Sequence, residues 1–297
     1  MRVLVTGSAG FVGRRVTGYL TEQGHEVVAA YHRNDPALNA VATFQVDITN
    51  ESEVQWLLMK VSPEAVVHAA AQVDADQCEI DRDRAWDTNV VGTKNIVQYA
   101  ERVGSAVLLI SSSFVFSGGS DQYTESDTRD PINVYGETKV AAENVVEQAA
   151  VPSTVVRIDQ PYGVSADWQT PSMVEWVLDE LASQSGEVEV FSDWSNNPIH
   201  IQDIAACICL LLEDEYQGMY HLVGPEHISR YHWARRIAAV FDYDVNRIQR
   251  AQSADADLEA ERPNANLSIT KLVSQTGYVP NGTYEGLQHV LEERVTE

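Results

Sequence analysis

The N-terminal segment constrains the fold of this chain most strongly. The apolar run Arg2–Thr6 predicts a strand, glycines follow at once at positions 7, 10 and 13, and Arg14–Glu22 then has the apolar spacing of a helix. Between a strand and a helix, glycines allow the backbone to approach a pyrophosphate at the helix N-terminus. In another context they would indicate only a turn, and the spacing differs from the common Gly-x-Gly-x-x-Gly fingerprint. Here the segment predicts a nucleotide-binding unit.

Strands and helices continue to alternate along the chain. Such alternation predicts an α/β fold, a Rossmann-type doubly wound parallel sheet with helices on both faces. The further predicted strands are Glu26–Tyr31, Ala42–Val46, Ala65–His68, Ala106–Ile110, Thr154–Arg157 and Val188–Phe191. Further predicted helices are Glu51–Lys60, Asp81–Val103, Trp168–Leu181, Ile204–Leu212 and Tyr231–Phe241, the last with Ser229 as its N-cap.

The charge balance limits the partners of the chain. Asp and Glu total 44 against 20 Lys and Arg, a net charge of −24, and the acidic residues are spread along the whole sequence. This surface would repel phosphate, so we expect no nucleic-acid partner. A uniformly acidic, lysine-poor chain resembles cytosolic proteins of salt-loving organisms, and a halophilic source is our hypothesis.

Composition also bears on location and on metals. No apolar stretch approaches the roughly 18 residues that span a bilayer, and the chain opens directly on a strand, so we expect a cytoplasmic protein without a membrane partner. Three cysteines (Cys78, Cys207, Cys209) are too few and too poorly spaced for a disulfide framework or a zinc site. We therefore expect no metal.

Tyr135 and Lys139 are the candidate chemical pair. Their spacing of four places both side chains on one face of a predicted helix. A phenol is a poor acid near neutral pH, and a nearby ammonium favours the phenolate, so the pair could donate a proton to a carbonyl. The same spacing is also common on an ordinary solvated helix face.

The second strand indicates which cofactor the chain prefers. It ends in Tyr31, His32 and Arg33, with no carboxylate before Asp35 to accept a ribose 2′-hydroxyl. An arginine there suits a 2′-phosphate, so NADPH is favoured and NADH is the alternative; a solvent-exposed loop arginine is the other interpretation. Asp47 could accept from the adenine amino group, or only cap the following helix.

Two further strand ends complete the predicted crevice. Ala69, Ala70 and Ala71 are small enough to leave space for a ligand beyond the fourth strand. The fifth strand runs into Ser111–Ser113, where a hydroxyl could hydrogen-bond a substrate carbonyl beside Tyr135, although serines at strand ends are often only turn formers.

Together these features resemble the extended short-chain dehydrogenase/reductases, over nearly the whole chain. Within that superfamily the sequence is most similar to the dTDP-4-dehydrorhamnose reductases. The strings that carry the resemblance are His68-Ala-Ala-Ala71, Asn89-Val-Val-Gly-Thr93, Ser111-Ser-Ser-Phe-Val-Phe-Ser-Gly118, Asn133-Val-Tyr-Gly-Glu-Thr-Lys139, Arg157-Ile-Asp-Gln-Pro-Tyr-Gly163, Tyr220-His-Leu-Val-Gly-Pro225 and Arg262-Pro-Asn264.

The resemblance implies roles for individual residues. Tyr135 would be the catalytic acid, Lys139 would bind the nicotinamide ribose and lower the phenol's pKa, and Ser112 would be the hydroxyl partner. The implied cofactor-binding residues are Gly7, Ala9, Gly10, Phe11, Val12, Gly13, His32, Arg33, Asp47, Ile48, Ala69, Ala70, Ala71, Asn89, Tyr135, Lys139 and Tyr162. The implied substrate residues are Val73, Ser113, Phe114, Gln160, His200 and Arg262.

For two of the implied substrate residues, His200 and Arg262, the sequence also allows a purely structural role. His200 could meet the substrate or be satisfied in a turn, and Arg262 could contact sugar or diphosphate or simply be exposed. The resemblance also implies a nucleotide-binding domain of residues 1–164 and 196–224 and a smaller, discontinuous α/β substrate domain of residues 165–195 and 225–297. A homodimer is compatible with it.

Departures from the family pattern bear on the substrate. Ser113 and Phe114 replace the usual Asp-Tyr, and Gln160 replaces a usual Trp. Nucleotide-sugar dehydratases have an acidic pair after the catalytic Thr, which Ser113-Phe114 lacks, so dehydration is disfavoured. The sequence therefore predicts NADPH-dependent reduction of a nucleotide-linked 4-keto sugar, foremost dTDP-4-dehydro-L-rhamnose.

Two alternatives remain at this point. A nucleotide-sugar 4-epimerase would hold NAD tightly and return the hydride, and the missing acidic residue at Tyr31 counts against it. A non-catalytic NADP-binding regulatory subunit, like that of methionine adenosyltransferase, belongs to the same superfamily. The complete Ser112, Tyr135 and Lys139 set favours catalysis.

Overall fold

A computed structural model describes residues 1–36, 38–183 and 186–296. Strands and helices alternate through the first half of the chain, and shorter strands follow. The strands are β1 Arg2–Thr6, β2 Glu26–Tyr31, β3 Ala42–Gln45, β4 Ala65–His68, β5 Ala106–Ser112, β6 Ser153–Ile158, β7 Pro161–Tyr162, β8 Val188–Phe191, β9 Ser195–Asn196, β10 Ile199–His200, β11 Gly218–His221, β12 Ile228–Ser229 and β13 Ile248–Ala251. The α-helices are α1 Phe11–Glu22, α2 Glu51–Val61, α3 Ala75–Ile80, α4 Arg82–Trp86, α5 Gly92–Val103, α6 Val134–Glu147, α7 Met173–Ala182, α8 Ile201–Glu213, α9 Arg230–Val240, α10 Thr270–Thr276 and α11 Thr283–Thr296.

Seven strands form one parallel sheet in the order β11-β6-β5-β4-β1-β2-β3. One face of the sheet packs against α1 and α8, and the other against α2, α5 and α6. Val, Leu and Ile on both faces of the central strands are almost fully buried, as expected for a parallel sheet covered on both sides. The predicted doubly wound α/β fold is confirmed.

The order of the strands places the functional crevice. Strand order reverses between β1 and β4, and ligands bind beyond the carboxyl ends of strands at such a switch point. The glycine turn follows β1, the alanines follow β4, and the serines end β5. All three segments that the sequence singled out therefore lie at one edge of the sheet.

A second, smaller core lies outside the central sheet. It is formed by α7, β8, α9, β13 and α11, with Trp233 at its centre. In contrast, Leu272 of α10 is buried in the core of the central sheet, although the sequence assigned it to the substrate domain. The domain boundaries themselves stay a prediction.

Three elements differ from their predicted form. The helix predicted over 81–103 is interrupted by a π-helix, Asp87–Val91, between α4 and α5. Helix α7 begins at Met173 instead of Trp168, because Ser172 and Glu175 form a capping box that fixes its first turn. Strand β11 was not predicted, since Gly218–His221 is short and lacks the apolar run of a central strand.

Among the described residues, no helix has the length and apolar character that crossing a membrane requires.

Candidate active site

A cavity of about 1150 Å³ opens at the carboxyl edge of the sheet. Its wall runs from the turn after β1, past the ends of β4 and β5, to Trp194 and Arg262 in the C-terminal half of the chain. It therefore joins the segments that the sequence assigned to a cofactor with those it assigned to a substrate.

The glycine turn is built by close backbone contacts. Gly7 has φ +67°, and a Cβ there would lie 2.6 Å from the backbone nitrogen of Ala70. A Cβ on Gly13 would lie 2.2 Å from the carbonyl oxygen of Gly7. These positions therefore require glycine, and the turn brings the start of α1 against the end of β4.

Helix α1 offers its N-terminus to the cavity. Its N-cap is Gly10, which provides no side-chain hydrogen bond, and its first turn carries no acidic residue. Backbone N–H groups at such an end suit a phosphate. The predicted cofactor residues of this region that line the cavity are Gly7, Ala9, Gly10, Phe11, Val12, Gly13, Ala69, Ala70 and Ala71.

The other predicted cofactor contacts form the far end of the same wall. His32, Arg33, Asp47 and Ile48 all line it, and His32 Nε2 lies 3.8 Å from Asp47 Oδ2. Burial alone raises the pKa of Asp47, but hydrogen bonds from the backbone and hydroxyl of Thr49 outweigh it and hold the pKa below its usual value. Asn50, not Asp47, is the N-cap of α2. Asp47 is thus an ionised acceptor at the cavity wall.

Ser112, Tyr135 and Lys139 meet on the wall of the cavity. Ser112 is the last residue of β5, and the other two lie on α6. The Lys139 ammonium donates a hydrogen bond of 2.7 Å to the carbonyl oxygen of Ile110. The side chain of Ser112 acts on the phenol of Tyr135 and lowers its pKa. The sequence predicted this set, and the fold brings it together.

Gly136 allows α6 to approach the turn after β5 closely. A Cβ at this position would lie 2.2 Å from the carbonyl oxygen of Phe114. The helix begins one residue before Tyr135, and the Asn133 side chain caps it by accepting a hydrogen bond from the Gly136 N–H at 2.8 Å. The glycine therefore sets the position of Tyr135 and is not a defect in the helix.

The pKa of Tyr135 shifts in the opposite direction to the one predicted from its spacing to Lys139. Burial raises the pKa of Tyr135 to about 12, and the side chain of Ser112 offsets this only in part. Lys139 was expected to lower the phenol's pKa, but the net shift is upward, because burial removes water from the phenolate and the ammonium is bonded to Ile110. Burial also lowers the pKa of Lys139 to about 8, against the attraction of Glu143. Tyr135 is therefore protonated throughout the neutral range, as an acid must be.

A buried ionic cluster holds α6 to the sheet behind this pair. Glu143 is fully buried and accepts hydrogen bonds from Ser111 Oγ at 2.6 Å and from Arg157 Nε at 2.9 Å and Nη2 at 2.8 Å. Arg129 adds a contact of 3.0 Å from the solvent side. Glu143 lies one helical turn beyond Lys139, so the cluster fixes the face of α6 that carries the candidate acid.

The end of the cavity that the sequence assigned to a substrate is rich in arginine. Arg262 pairs with Asp76 at 2.6 Å, and Arg230 stacks on the Trp194 ring with its Cζ 3.3 Å from the centroid. The Trp194 indole N–H is buried and has no hydrogen-bond partner in the described part of the chain. Predicted substrate residues that line this end are Val73, Phe114, Gln160 and Arg262.

Comparison with known proteins assigns the family. The family described as "RmlD substrate binding domain" matches residues 1–296. The chain belongs to this family. The resemblance to RmlD-type oxidoreductases within the extended short-chain dehydrogenase/reductases is thereby confirmed.

Three relatives show the range of the RmlD family. A probable low-salt glycan biosynthesis reductase, Agl14, of Haloferax volcanii is 28% identical over 282 residues, which is 93% of each chain. Methionine adenosyltransferase 2 subunit beta of Rattus norvegicus is 29% identical over 279 residues, 91% of this chain and 81% of the relative. The crystal structure of the Bacillus anthracis dTDP-4-dehydrorhamnose reductase in complex with NADP is 25% identical, with a TM-score of 0.86 over 98% of this chain and 99% of that one.

Two residues predicted to contact a ligand, Ser113 and Asn89, do not line the cavity. The Ser113 hydroxyl donates to Asp159 at 2.9 Å, and Asp159 lines the cavity whereas Ser113 does not. Asn89, in the π-helix, exchanges hydrogen bonds with the Gln72 backbone at 2.7 and 3.0 Å and donates to Thr138 Oγ1 at 2.9 Å. Asn89 therefore fixes the loop after β4 against α6.

Two other predicted residues, Tyr162 and His200, belong to the second core. Their rings meet edge-on at 5.4 Å, and both side chains are fully buried. They are register partners in the β7–β10 pair. Because successive side chains of a strand alternate in direction, Pro161 lines the cavity while Tyr162 points away from it.

Sequence reasoning missed several residues of the cavity wall. Arg230 gave no signal, because it is the first residue of α9 and an arginine there resembles part of an ordinary helix start. Asp159 lay within a quoted family string but carried no assigned role. The unpredicted lining residues with polar or aromatic side chains include Gln72, Asp76, Arg84, Asp87, Thr88, Asp159, Thr170, Trp194 and Arg230.

Proposed function

We propose that the chain catalyses NADPH-dependent reduction of the 4-keto group of a nucleotide sugar, with dTDP-4-dehydro-L-rhamnose as the first candidate substrate. One observation carries the proposal: the Ser112, Tyr135 and Lys139 set lies on the wall of the same cavity as the Gly7–Gly13 turn. The candidate proton donor and the candidate pyrophosphate site therefore share one cavity.

Each residue of the set has a distinct task in this proposal. When bound, the cofactor supplies the hydride. Ser112 hydrogen-bonds the substrate carbonyl, and Tyr135 donates the proton to the developing alkoxide. Lys139, held by Ile110, presents a buried positive charge at the cavity wall that can orient a ribose hydroxyl.

NADPH is the proposed cofactor because of the second strand. Arg33 lines the cavity just beyond β2, a strand that ends without a carboxylate to accept a ribose 2′-hydroxyl. The complex of the Bacillus anthracis relative with NADP supports the same choice. Arg33→Ser should lower kcat/KM for NADPH by about tenfold or more and leave NADH nearly unchanged. Arg294→Ser, on an exposed turn of α11, is the matched control; equal losses with both cofactors would contradict the preference.

The arginine-rich end would hold the nucleotide part of the substrate. Arg230 and Arg262 flank Trp194, and their guanidinium groups suit a diphosphate. The free indole N–H of Trp194 adds one donor beside them. A nucleotide sugar would then extend from this end toward Tyr135, which orients its keto group.

The direct test is cofactor oxidation with a panel of dTDP- and UDP-linked 4-keto sugars. Tyr135→Phe should abolish turnover while leaving NADPH binding intact, because the ring keeps its packing against Phe114 and loses only the hydroxyl. Tyr284→Phe, at an exposed tyrosine, is the control. Unchanged turnover in Tyr135→Phe would overturn the mechanism, and NAD that co-purifies with the chain would indicate the 4-epimerase alternative.

A regulatory role is the second candidate. It is favoured by the 29% identity to the rat methionine adenosyltransferase subunit over 91% of this chain. Under this alternative the chain would bind NADPH, reduce no keto sugar, and form a stable complex with a methionine adenosyltransferase catalytic subunit on gel filtration. Turnover with any keto sugar excludes a purely regulatory role.

A further inference from the structure

His25, Cys209 and Glu213 converge at the edge of the sheet opposite the cavity. His25 lies in the turn between α1 and β2, while the other two lie one helical turn apart on α8. The histidine Nε2, the cysteine Sγ and a carboxylate oxygen all lie within 4.8 Å of one another. From this cluster we infer that the chain has a binding site for a borderline-soft divalent cation, Zn²⁺ by preference.

The spacing of the ligand atoms suits a tetrahedral ion. Nε2 of His25 lies 3.6 Å from Sγ of Cys209 and 3.0 Å from Oε1 of Glu213. Zinc bonds of about 2.3 Å to sulfur and about 2.0 Å to nitrogen or oxygen, at tetrahedral angles, give ligand separations of roughly 3.3–3.6 Å. Only small side-chain shifts would be needed to admit the ion.

Hydrogen bonding within the cluster leaves the histidine poorly satisfied. Two partners approach the same ring atom, Nε2, which has either one proton or one lone pair and can serve only one of them. A cation at the centre would be shared by all three groups.

The burial and ligand types of these three side chains are those of a metal site with one open coordination position. The side chain of His25 is 7% exposed and Cys209 is 4% exposed, whereas that of Glu213 is 52% exposed. An ion could enter along Glu213 and keep one water as fourth ligand. A thiolate, an imidazole and a carboxylate together favour zinc over magnesium or calcium, which prefer oxygen ligands.

The location implies a structural role for the ion. The six residues of β2, about 20 Å of strand, separate His25 from the cavity. The ion would join the end of α1 to α8, two helices that pack on the same face of the sheet. We therefore expect it to raise the melting temperature without contributing to the reaction.

The test uses the full chain after chelator treatment, titrated with Co²⁺ alone and then Zn²⁺. Bound Co²⁺ should give a thiolate charge-transfer band. Stoichiometric Zn²⁺ should displace the Co²⁺, abolish the band and raise Tm. Cys209→Ser should abolish the band, and Glu213→Gln should weaken the affinity by about tenfold or more. Cys207→Ser, at a buried cysteine on the same helix outside the cluster, should keep the Co²⁺ charge-transfer band of the unmodified chain.

Two results would overturn the site. One is the absence of a charge-transfer band in the unmodified chain at micromolar Co²⁺. The other is a band that persists in Cys209→Ser, or that is lost equally in Cys207→Ser. Because Glu213 is half exposed, Glu213→Gln should fold normally, so its metal affinity remains a valid readout even if the cysteine variants are unstable.

Discussion

The carboxylate of Glu143 on α6 accepts two hydrogen bonds from the guanidinium of Arg157 on β6, at 2.9 and 2.8 Å. Both side chains are almost completely buried. Burial alone raises the pKa of Glu143, but the hydrogen bonds and charge of Arg157 hold it below its usual value. The pair fixes the helix that carries Tyr135 and Lys139, so its loss should affect both stability and the site.

Arg157→Met should therefore lower the free energy of unfolding by about 3–5 kcal/mol, because it leaves the Glu143 charge buried and underpaired. Arg82→Met breaks an exposed pair with Glu137 and should cost less than about 1 kcal/mol. Denaturant unfolding monitored by circular dichroism measures both values. The prediction is wrong if the two variants cost the same. Addition of Glu143→Gln to Arg157→Met should recover part of the loss.

Two glycines of α1 offer a matched comparison. Gly13→Ala would place a Cβ 2.2 Å from the backbone oxygen of Gly7, so the turn must move; we expect a loss of about 1–3 kcal/mol and weaker NADPH binding. Gly18→Ala, on the same helix with nothing within 4 Å, should instead stabilise the chain by about 0.5–1 kcal/mol. Urea denaturation and quenching titrations measure the two effects. Equal behaviour would show that the close approach is not needed.

The pH profile of kcat/KM should report the deprotonation of Lys139. Below pH about 8 the buried ammonium is charged and can orient a ribose hydroxyl, and above that pH it loses its proton. Tyr135, with a pKa of about 12, stays protonated in this range. Reduction should therefore fall as pH rises through about 8, and not near 10, the usual pKa of a phenol.

Lys139→Arg tests whether Lys139 causes the decline near pH 8, because a guanidinium remains charged across this range. Any residual activity of this variant should lose the decline near pH 8. A decline that is unchanged in Lys139→Arg would assign it to another group. Circular dichroism at each pH controls for unfolding.

Salt should stabilise the chain. A net charge of −24 gives strong self-repulsion, which molar KCl screens because the Debye length shrinks to about 3 Å. We expect Tm to rise steadily from low salt to molar KCl, and unfolding at low salt to be reversed by adding KCl. A Tm that is independent of salt would contradict the hypothesis of a halophilic source.

The sequence by itself determined the central architecture. Strands β1, β2 and β4 have their predicted bounds, because continuous apolar runs must be buried in a sheet covered on both faces. It also predicted that the glycine turn and Ser112 lie at one edge, since carboxyl ends of parallel strands meet there, while the family resemblance implied that Tyr135 and Lys139 join them. The break of the helix near Asn89 had no sequence signal, because the π-helix depends on contacts with Gln72 and Thr138.

Only the tertiary structure decided which side chains reach the cavity and what charges they carry. The pairing of β7 with β10 places Tyr162 and His200 in the second core, and Ser113 hydrogen-bonds to Asp159, which lines the cavity in its place. Burial reversed the expected shift of the Tyr135 pKa, because desolvation depends on packing from distant segments. Likewise His25 and Cys209 are 184 residues apart in sequence, and only the packing of α1 on α8 brings them together.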